Sequence, residues 1–417
     1  LANSANTNSS HIRKIIALLK KGGLIESQQG KTGMALAKST KDITLADVYQ
    51  IVYPNKHLVN IHEGANKECP VGNNIENLLQ PVFNEAQDAF YNKLASKTLE
   101  QLIKVAVPTI NENEVLVKVL VAGVNPLDNM ISRGEVKIIT PYKLPQIAGN
   151  ELVGVIEQKG SKVTNFEIGD RVFSRLPLDR IGAFAEYVVI NKEDIAKVPE
   201  YMTDEEAAAV PLTALTIMQA LELMGAEQGK TIFISGGTGG VGGMAIPIAK
   251  AKGLTVITNG SVENKERVEK LGVDQFIDYK TTDYTTVLKD IDYVLDTLGG
   301  AETEKQMSIM KSGGKLVSLK AMPNGSFAKR MKLPWWKQFI LSLAGRKFDK
   351  IANKFGVSYD FIFVESNGKQ LQEVSDIFSK LEIKPSVDTV FEFKDVNKAL
   401  DKVANGRSRG KTVLSFK

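Results

Sequence analysis

The stretch TIFISGGTGGVGGMAIPIAKAKG, residues 231–253, constrains the fold of this chain more than any other. A short apolar run passes through a glycine-rich turn into a longer apolar-periodic run, so a buried strand must feed a helix across a turn almost free of side chains. A diphosphate requires that arrangement, because backbone N–H groups at a helix N-terminus can reach it only where no side chain intervenes. Gly237, Gly239 and Gly240, with Val241 opening the helix and Gly242 and Gly243 behind it, supply the surface. Glycines also serve tight turns and close helix packing. Between a strand and a helix they point to a dinucleotide. Pro247 stands inside the expected helix, where it removes a hydrogen bond, and the sequence offers no reason for it.

The next strand indicates which dinucleotide. NAD-binding versions usually end it on Asp or Glu for the ribose hydroxyls, whereas TVITNGSVENKER ends on Asn259, Gly260 and Ser261, followed by Lys265 and Arg267. A missing acid and nearby cations suit a 2′-phosphate. NADPH is therefore the expected cofactor, with Ser261 and Lys265 as phosphate contacts; a helix N-cap is the alternative use of Ser261. DYVLDTLGG and GKLVSLK read as later strands, and Ser318 and Leu319, ending the latter, could approach the nicotinamide. Strands alternating with helices argue a doubly wound parallel sheet. Upstream, EVLVKVLVAGVN, GNELVGVIEQKGSKVTNFEIGDRVFS and GAFAEYVVI are short Val/Ile-rich runs separated by Gly, Asn and Asp, the texture of an irregular β-rich domain.

Composition excludes other classes. With 43% hydrophobic and 24% charged residues over 417 positions, the chain reads as ordinary globular protein in two or three domains. No run approaches the roughly 18 apolar residues of a membrane span, and LANSANTNSS lacks a signal-peptide profile, so the cytoplasm is the expected compartment. One cysteine, Cys69, rules out an internal disulfide framework, and three scattered histidines (His11, His57, His62) leave no usual zinc site. The expected chemistry is metal-free. The net charge of +5 is uneven: Arg13, Lys14, Lys20, Lys21, Lys31, Lys38 and Lys41 face only Glu26 in the first 41 residues, an excess that suits a polyanion.

In that basic segment, NSSHIRKIIALLKKGGLI puts Ile12, Ile15, Ile16 and Leu19 on one helical face, with Ser9 or Ser10 as N-cap and Gly22 and Gly23 as the stop. Two short extended pieces around QGKTG form a basic hairpin tip. Ser9, Ser10, His11 and Arg13 could reach base edges while Lys14, Lys20 and Lys31 neutralise phosphates; a solvated lysine face is the plainer reading of the same residues. The order of these pieces, continued by HEGANKECPVGNNIENLLQPVFNEAQDAFYNKLASKTLEQLI, resembles the Rrf-two family of winged-helix transcriptional regulators over nearly all of residues 1–103. The resemblance implies a DNA-binding dimer joined through the long helix around Ile75 to Leu94. Members that hold an iron-sulfur cluster use three cysteines near Cys69, and one cannot do so. A thiol switch at Cys69 and an inert thiol both remain open.

Residues 104–417 resemble the medium-chain dehydrogenase/reductase superfamily, in the zinc-independent quinone oxidoreductase branch that includes zeta-crystallin and plant alkenal/enone reductases. AGVNPLDNMI, GNELVGVIEQKGSKVTNFEIGDRVF, GAFAEYVVI, AAAVPLTALTIMQAL, ISGGTGGVGG, LGVDQFIDY and GRSRGKTVLSF carry it. Zinc-dependent members place Cys and His where this chain has VAGVNPLD and AGNELVG. The α/β fold implied is a GroES-like catalytic domain (104–205 and 365–417) around a Rossmann domain (206–364), behind the winged-helix segment (1–103). The resemblance implies Thr213 and Thr216 at the cofactor, Tyr279 near the adenosine phosphate and Asn125 at the nicotinamide and substrate end. Tyr142 is the candidate oxygen-binding or proton-donating group. The function implied is NADPH-dependent, zinc-free hydride transfer to a quinone or α,β-unsaturated carbonyl; the alternative is a DNA-binding regulator with a passive or sensory reductase domain. Expected partners are that small molecule, DNA and a second copy in a homodimer, with no membrane. The segment MKLPWWKQFILSLAGRKFDKI is basic and aromatic, which can be read as a membrane-surface or nucleic-acid contact, but the resemblance implies the substrate wall or a subunit contact, with Trp335 and Trp336 in core or pocket and Tyr359, Phe361 and Phe363 as further walls.

At the junction, KTLEQLI runs directly into KVAVPTINENEVLVKV with no linker composition. The chain reads as two genes joined, each without its first element: a helix of the regulator and a hairpin of the reductase. Lowered stability is the expected consequence. A fusion coupling NADPH or electrophile status to DNA binding and a joining by deletion or sequence assembly both account for it.

Overall fold

The computed structural model describes residues 9–27, 34–54, 74–103, 107–137, 139, 141–142, 146–406 and 410–417. Lys31, His57, His62 and Cys69, singled out above, lie outside the described residues. The chain divides into two units, Leu1–Val107 and Pro108–Lys417.

In the first unit a helix, Ser9–Lys21, leads into an antiparallel hairpin of Ile25–Ser27 with Met34–Leu36, followed by helices Leu45–Val52, Ile75–Ala95 and Leu99–Ile103. Helix, hairpin and long helix follow the winged-helix order. Ser9 and Ser10 lie inside the first helix, so neither is the N-cap expected from sequence. Ile12, Ile15, Ile16 and Leu19 are half-buried, as their spacing requires, and Arg13 and Lys14 are exposed. Thr44 starts the next helix with a reciprocal cap: its N–H donates to Asp47 Oδ2 (2.7 Å) and its hydroxyl accepts from the Asp47 N–H (3.1 Å). The Thr44 hydroxyl also donates to Asp47 Oδ2 (2.7 Å), and this bond, with the one from the Thr44 N–H, holds the Asp47 carboxyl below its usual value. Tyr49, one turn on, meets the rings of Phe90 and Tyr91 at 5.2 and 5.8 Å and joins this helix to Ile75–Ala95.

The second unit holds two sheets. One runs Val387–Glu392, Lys411–Ser415, Glu114–Val124, Glu151–Lys159, Arg171–Arg175, Ile195–Lys197, and Tyr187–Asn191 also pairs with Glu114–Val124. All its pairings are antiparallel except the first. Its central strand carries buried Val115, Val117 and Val119 into the sheet's own core and Val121 into the core shared with the helices, which is why EVLVKVLVAGV is apolar almost throughout. The last strands of the chain thus return to the sheet that the first strands of this unit began.

The other sheet has the order Gln275–Asp278, Thr255–Gly260, Thr231–Ile234, Ile291–Asp296, Met310–Ser318, Ser358–Phe361, all parallel. In sequence terms this is 3-2-1-4-5-6, a doubly wound sheet whose order reverses beside Thr231–Ile234. Helix Pro211–Met224 precedes that strand, and ten of its residues, including Thr213 and Thr216, are buried. A helix apolar on nearly all sides belongs inside a protein.

The glycines after Thr231–Ile234 divide their work. A Cβ at Gly237 would lie 2.0 Å from Thr258 Oγ1, and one at Gly242 would lie 2.3 Å from the Gly237 Cα, so both let helix Gly240–Ala251 press against the sheet. A Cβ at Gly240 would meet nothing within 4 Å. Gly237→Ala is therefore expected to lower stability by about 1–3 kcal/mol or more, whereas Gly240→Ala should leave it within about 0.5 kcal/mol. Thermal melting of the two variants compares them directly.

Candidate functional site

The glycine turn stands at the carboxyl end of Thr231–Ile234, beside the point where the strand order reverses. Its first amides are committed: Gly236 N–H donates to Asn259 Oδ1 (2.8 Å), Gly237 N–H to the Asn259 carbonyl (3.1 Å) and Gly239 N–H to the Gly236 carbonyl (2.9 Å). The Arg267 guanidinium, from helix Lys265–Lys270, donates to the Thr238 carbonyl and fastens the outside of the turn. Gly240, Val241 and Gly242 are the first helical residues, whose N–H groups have no carbonyl one turn back to donate to. They carry the positive end of the helix dipole.

A cavity of about 420 Å³ opens on this helix end. Gly239, Gly240 and Val241 form one part of its lining; Asn125, Thr213 and Lys411 are among the residues that complete it. Arg267, Lys320 and Lys384 add three more cations to the wall. A cavity lined by helix N–H groups and cations favours an anion.

A network around Glu151, a fully buried carboxylate at the start of its strand, builds the polar part of that wall. Its Oε1 accepts from Asn125 Nδ2 (2.7 Å) and is ion-paired with Lys411 Nζ; its Oε2 accepts from the Leu212 N–H (2.7 Å), at the first turn of helix Pro211–Met224. Lys411 Nζ also donates to Asn125 Oδ1 (2.6 Å). Both ends of the Asn125 carboxamide are thereby held. Asn125 caps helix Pro126–Arg133, and its N–H donates to Asp128 Oδ2 (2.7 Å), while Asp128 Oδ1 accepts from Asn150 Nδ2 (2.7 Å). Burial pushes the Asp128 carboxyl up to about 6, against the two hydrogen bonds that favour its ionised form and with the Glu151 charge adding to the rise. Arg175, also buried, is drawn down to about 10 by loss of water, countered mainly by the charge of Glu151.

Of the residues expected from sequence, the structure brings Asn125, Thr213, Gly239, Gly240 and Val241 into one cavity wall. Thr216 lies one turn deeper, its hydroxyl donating to the Leu212 carbonyl (2.7 Å). Gly237 packs behind the turn. Ser261 directly follows strand Thr255–Gly260 with Oγ buried and without a hydrogen-bond partner, and it makes no helix-capping bond with that side chain. Lys265 begins the following helix 3.6 Å from Glu269, and Tyr279 is 58% exposed just past Gln275–Asp278. The Ser318 hydroxyl donates to Asp296 Oδ2 (2.7 Å) and accepts from the Ala321 N–H (2.9 Å), so it builds the turn after its strand; Leu319 beside it is half-buried. The Tyr142 hydroxyl donates to the Ile131 carbonyl, and its ring packs with Ile131, Val136 and Ile181.

Two expectations need correction. Trp335 and Trp336 are neither core nor pocket: they are 80% and 45% exposed on helix Trp335–Phe355, whose inward face is taken by Leu341, Gly345, Phe348 and Ala352. Tyr359 is a buried core residue stacked on Phe348 (5.2 Å between ring centres) rather than a pocket wall. Phe361 and Phe363 do pack around the Phe327–Leu341 cluster, and Phe363 also touches the Ile131 cluster that includes Tyr142.

Glu151, Asp128 and Lys411 were not singled out from sequence, although GNELVGVI and GKTVLSF contain two of them. The signal was present: a charged residue at the head of an otherwise apolar strand must find a partner or stay out of the core. What the sequence does not contain is which partner. Among the described residues no cluster of three or more His, Cys, Asp or Glu could hold a metal ion, and no helix is long and apolar enough to cross a membrane.

Residues 111–200 match the family model described as the alcohol dehydrogenase GroES-like domain, residues 271–414 that of a zinc-binding dehydrogenase, and residues 1–105 that of an iron-dependent transcriptional regulator. A mitochondrial NAD(P)H oxidoreductase of Danio rerio is 34% identical over 335 residues, spanning 75% of this chain and 86% of the relative. The 2-methylene-furan-3-one reductase of Solanum lycopersicum is 30% identical over 74% of each chain. Among solved structures, the quinone oxidoreductase of Coxiella burnetii superposes with a TM-score of 0.62 at 26% identity, over 75% of this chain and 93% of its own.

Two measurements probe the network. Glu151→Gln strands the Lys411 ammonium against a neutral amide and is expected to cost about 3–5 kcal/mol in urea unfolding. For Asp128, the folded value of about 6 lies above the ordinary 3.8, so the native chain keeps a proton that the unfolded chain has released between those limits. Its contribution is complete below about pH 4 and is lost as pH rises through about 6. Stability relative to Asp128→Asn should therefore fall across that window, by at most about 3 kcal/mol.

Proposed function

The chain belongs to the medium-chain dehydrogenase/reductase family, with a regulator-type segment ahead of it, and we propose that it is an NADPH-dependent oxidoreductase that reduces quinones or α,β-unsaturated carbonyls without zinc. The observation that carries this reading is the cavity that joins the first turn of helix Gly240–Ala251 to Asn125, Thr213 and Lys411. The dinucleotide fits what is present. Gly240 has open space where a side chain would block a diphosphate, and the Gly240 and Val241 N–H groups face it from the helix end. At the end of the second strand, Asn259 spends its side-chain oxygen on Gly236, and Gly260 and Ser261 follow it where an acid would otherwise stand; the Ser261 Oγ without a partner, with Lys265 opening the next helix, suits a 2′-phosphate.

When bound, the nicotinamide cofactor supplies a hydride. The residues of this chain orient and balance charge around it. Asn125 presents a carboxamide fixed at both ends, and Lys411 puts a half-buried positive charge in the same wall, where a substrate oxygen gaining charge is stabilised. Tyr142 remains a proposed donor, and delivery of its proton requires the hydroxyl to leave the Ile131 carbonyl. The zinc-free reading rests on sequence: the one cysteine and all three histidines precede residue 70, so the oxidoreductase unit has neither ligand type. A conjugated acceptor suits such a site because it needs position and a hydrogen bond. The cytoplasm and a homodimeric state belong to the same proposal.

The match of residues 1–105 to a transcriptional regulator favours a second reading for the first unit, DNA binding through the helix that exposes Ser10, Arg13 and Lys14.

The fall in NADPH absorbance with a simple quinone, a 2-alkenal and a saturated ketone, NADH in parallel, tests the first reading. Turnover is expected with the first two acceptors and NADPH; turnover of the ketone alone, or NADH preferred, would count against it. Ser261→Asp should lower the NADPH to NADH ratio of kcat/KM on the order of 100-fold. For the second reading, Arg13→Ala with Lys14→Ala should weaken retardation of operator-type DNA and reduce the salt slope by about 1 for each phosphate that is no longer neutralised.

A further inference from the structure

We propose that helix Trp335–Phe355 docks the oxidoreductase unit on an anionic lipid surface. Trp335, Trp336, Phe339, Ile340 and Leu343 are 80%, 45%, 62%, 44% and 54% exposed. At 3.6 residues per turn they fall in one sector of roughly 140° over the first two and a half turns. Arg346, Lys347, Lys350 and Lys354 continue the same sector toward the C-terminus, and all four are exposed. One helix face is thus apolar and aromatic for its first half and cationic for its second. Five bulky apolar side chains together exceed what single scattered surface residues explain.

The helix is held so that this face points outward. Leu341, Gly345, Phe348 and Ala352 are buried beneath it. A Cβ at Gly345 would come within 2.5 Å of Asn324, whose amide donates to Asp349 Oδ1 (2.8 Å) and to the Tyr359 carbonyl (3.1 Å). Asp349 is the sole acid of the helix against five bases, Lys337 included, and it faces inward to Asn324. Lys347 is partly answered by Glu304; the remaining cations give the face its charge.

Charge decides the occupant. A second copy stacked in parallel register would bring cations against cations, whereas anionic headgroups pair with Arg346, Lys350 and Lys354 while Trp335, Trp336 and Phe339 enter the headgroup and acyl boundary. Lys337 lies 5.5 Å from the Trp336 ring and can reach headgroups beside it. The helix lies on the surface; it is not apolar enough to span. This departs from the sequence expectation of no membrane partner, and the exposure of the two tryptophans is the reason.

The two tryptophans are the only ones in the chain, so intrinsic fluorescence reports this face alone. With the full-length protein, co-sedimentation and a blue shift are expected with vesicles containing phosphatidylglycerol and not with pure phosphatidylcholine vesicles, and both should vanish in high salt. Phe339→Ser with Leu343→Ser should abolish association, and Lys350→Glu with Lys354→Glu should lower the partition coefficient on the order of tenfold or more, with melting temperatures unchanged. Absence of association overturns the proposal. So does equal binding to both vesicle types, or a tryptophan emission already blue-shifted in a dimer that Phe339→Ser with Leu343→Ser disperses, which would make the face a contact between copies.

Discussion

The carboxylate of Glu151 holds the oxidoreductase unit together at the wall of its cavity. Three segments far apart in the chain end at its two oxygens: the Asn125 turn, the Leu212 helix start and the Lys411 strand. A buried charge is costly unless hydrogen bonds and an opposite charge compensate it, so each partner must be present for the others to be placed. That requirement turns a packing constraint into a site. The same ion pair that satisfies Glu151 fixes both ends of Asn125 and leaves a lysine lining the cavity.

The parallel sheet supplies the other half. Because the strand order reverses beside Thr231–Ile234, neighbouring connections leave a crevice at that strand's carboxyl end, and the glycine turn opens there. Within the turn, the Gly236 and Gly237 amides donate to Asn259, while the Gly240, Val241 and Gly242 amides head the helix. Gly237 and Gly242 of this motif serve packing, whereas Gly240 opens on free space.

Much of this was legible in the sequence. The apolar strand, glycine turn and helix, the β-rich stretch before them and the basic first helix follow from residue spacing, the long helix around Ile75 to Leu94 from the family resemblance, and each is found where it was expected. Five of the expected site residues meet in one cavity wall because local sequence sets the turn that carries most of them. Trp335 and Trp336 show the limit. Aromatic residues in a periodic helix suggest burial, but Leu341, Gly345, Phe348 and Ala352 fit the same period and took the inward face.

Sequence alone determined the local conformations and the chemistry available: which stretches pair as strands, which turn accepts a diphosphate, and the lack of cysteine and histidine after residue 69. Tertiary structure alone decided the pairings. Glu151 and Lys411 are 260 positions apart, and Asp128, on a helix, meets Asn150 at the head of an interior strand. Neither pairing has a local signature, because burial and the loss of water, which make these charges seek one another, exist only once the strands have come together.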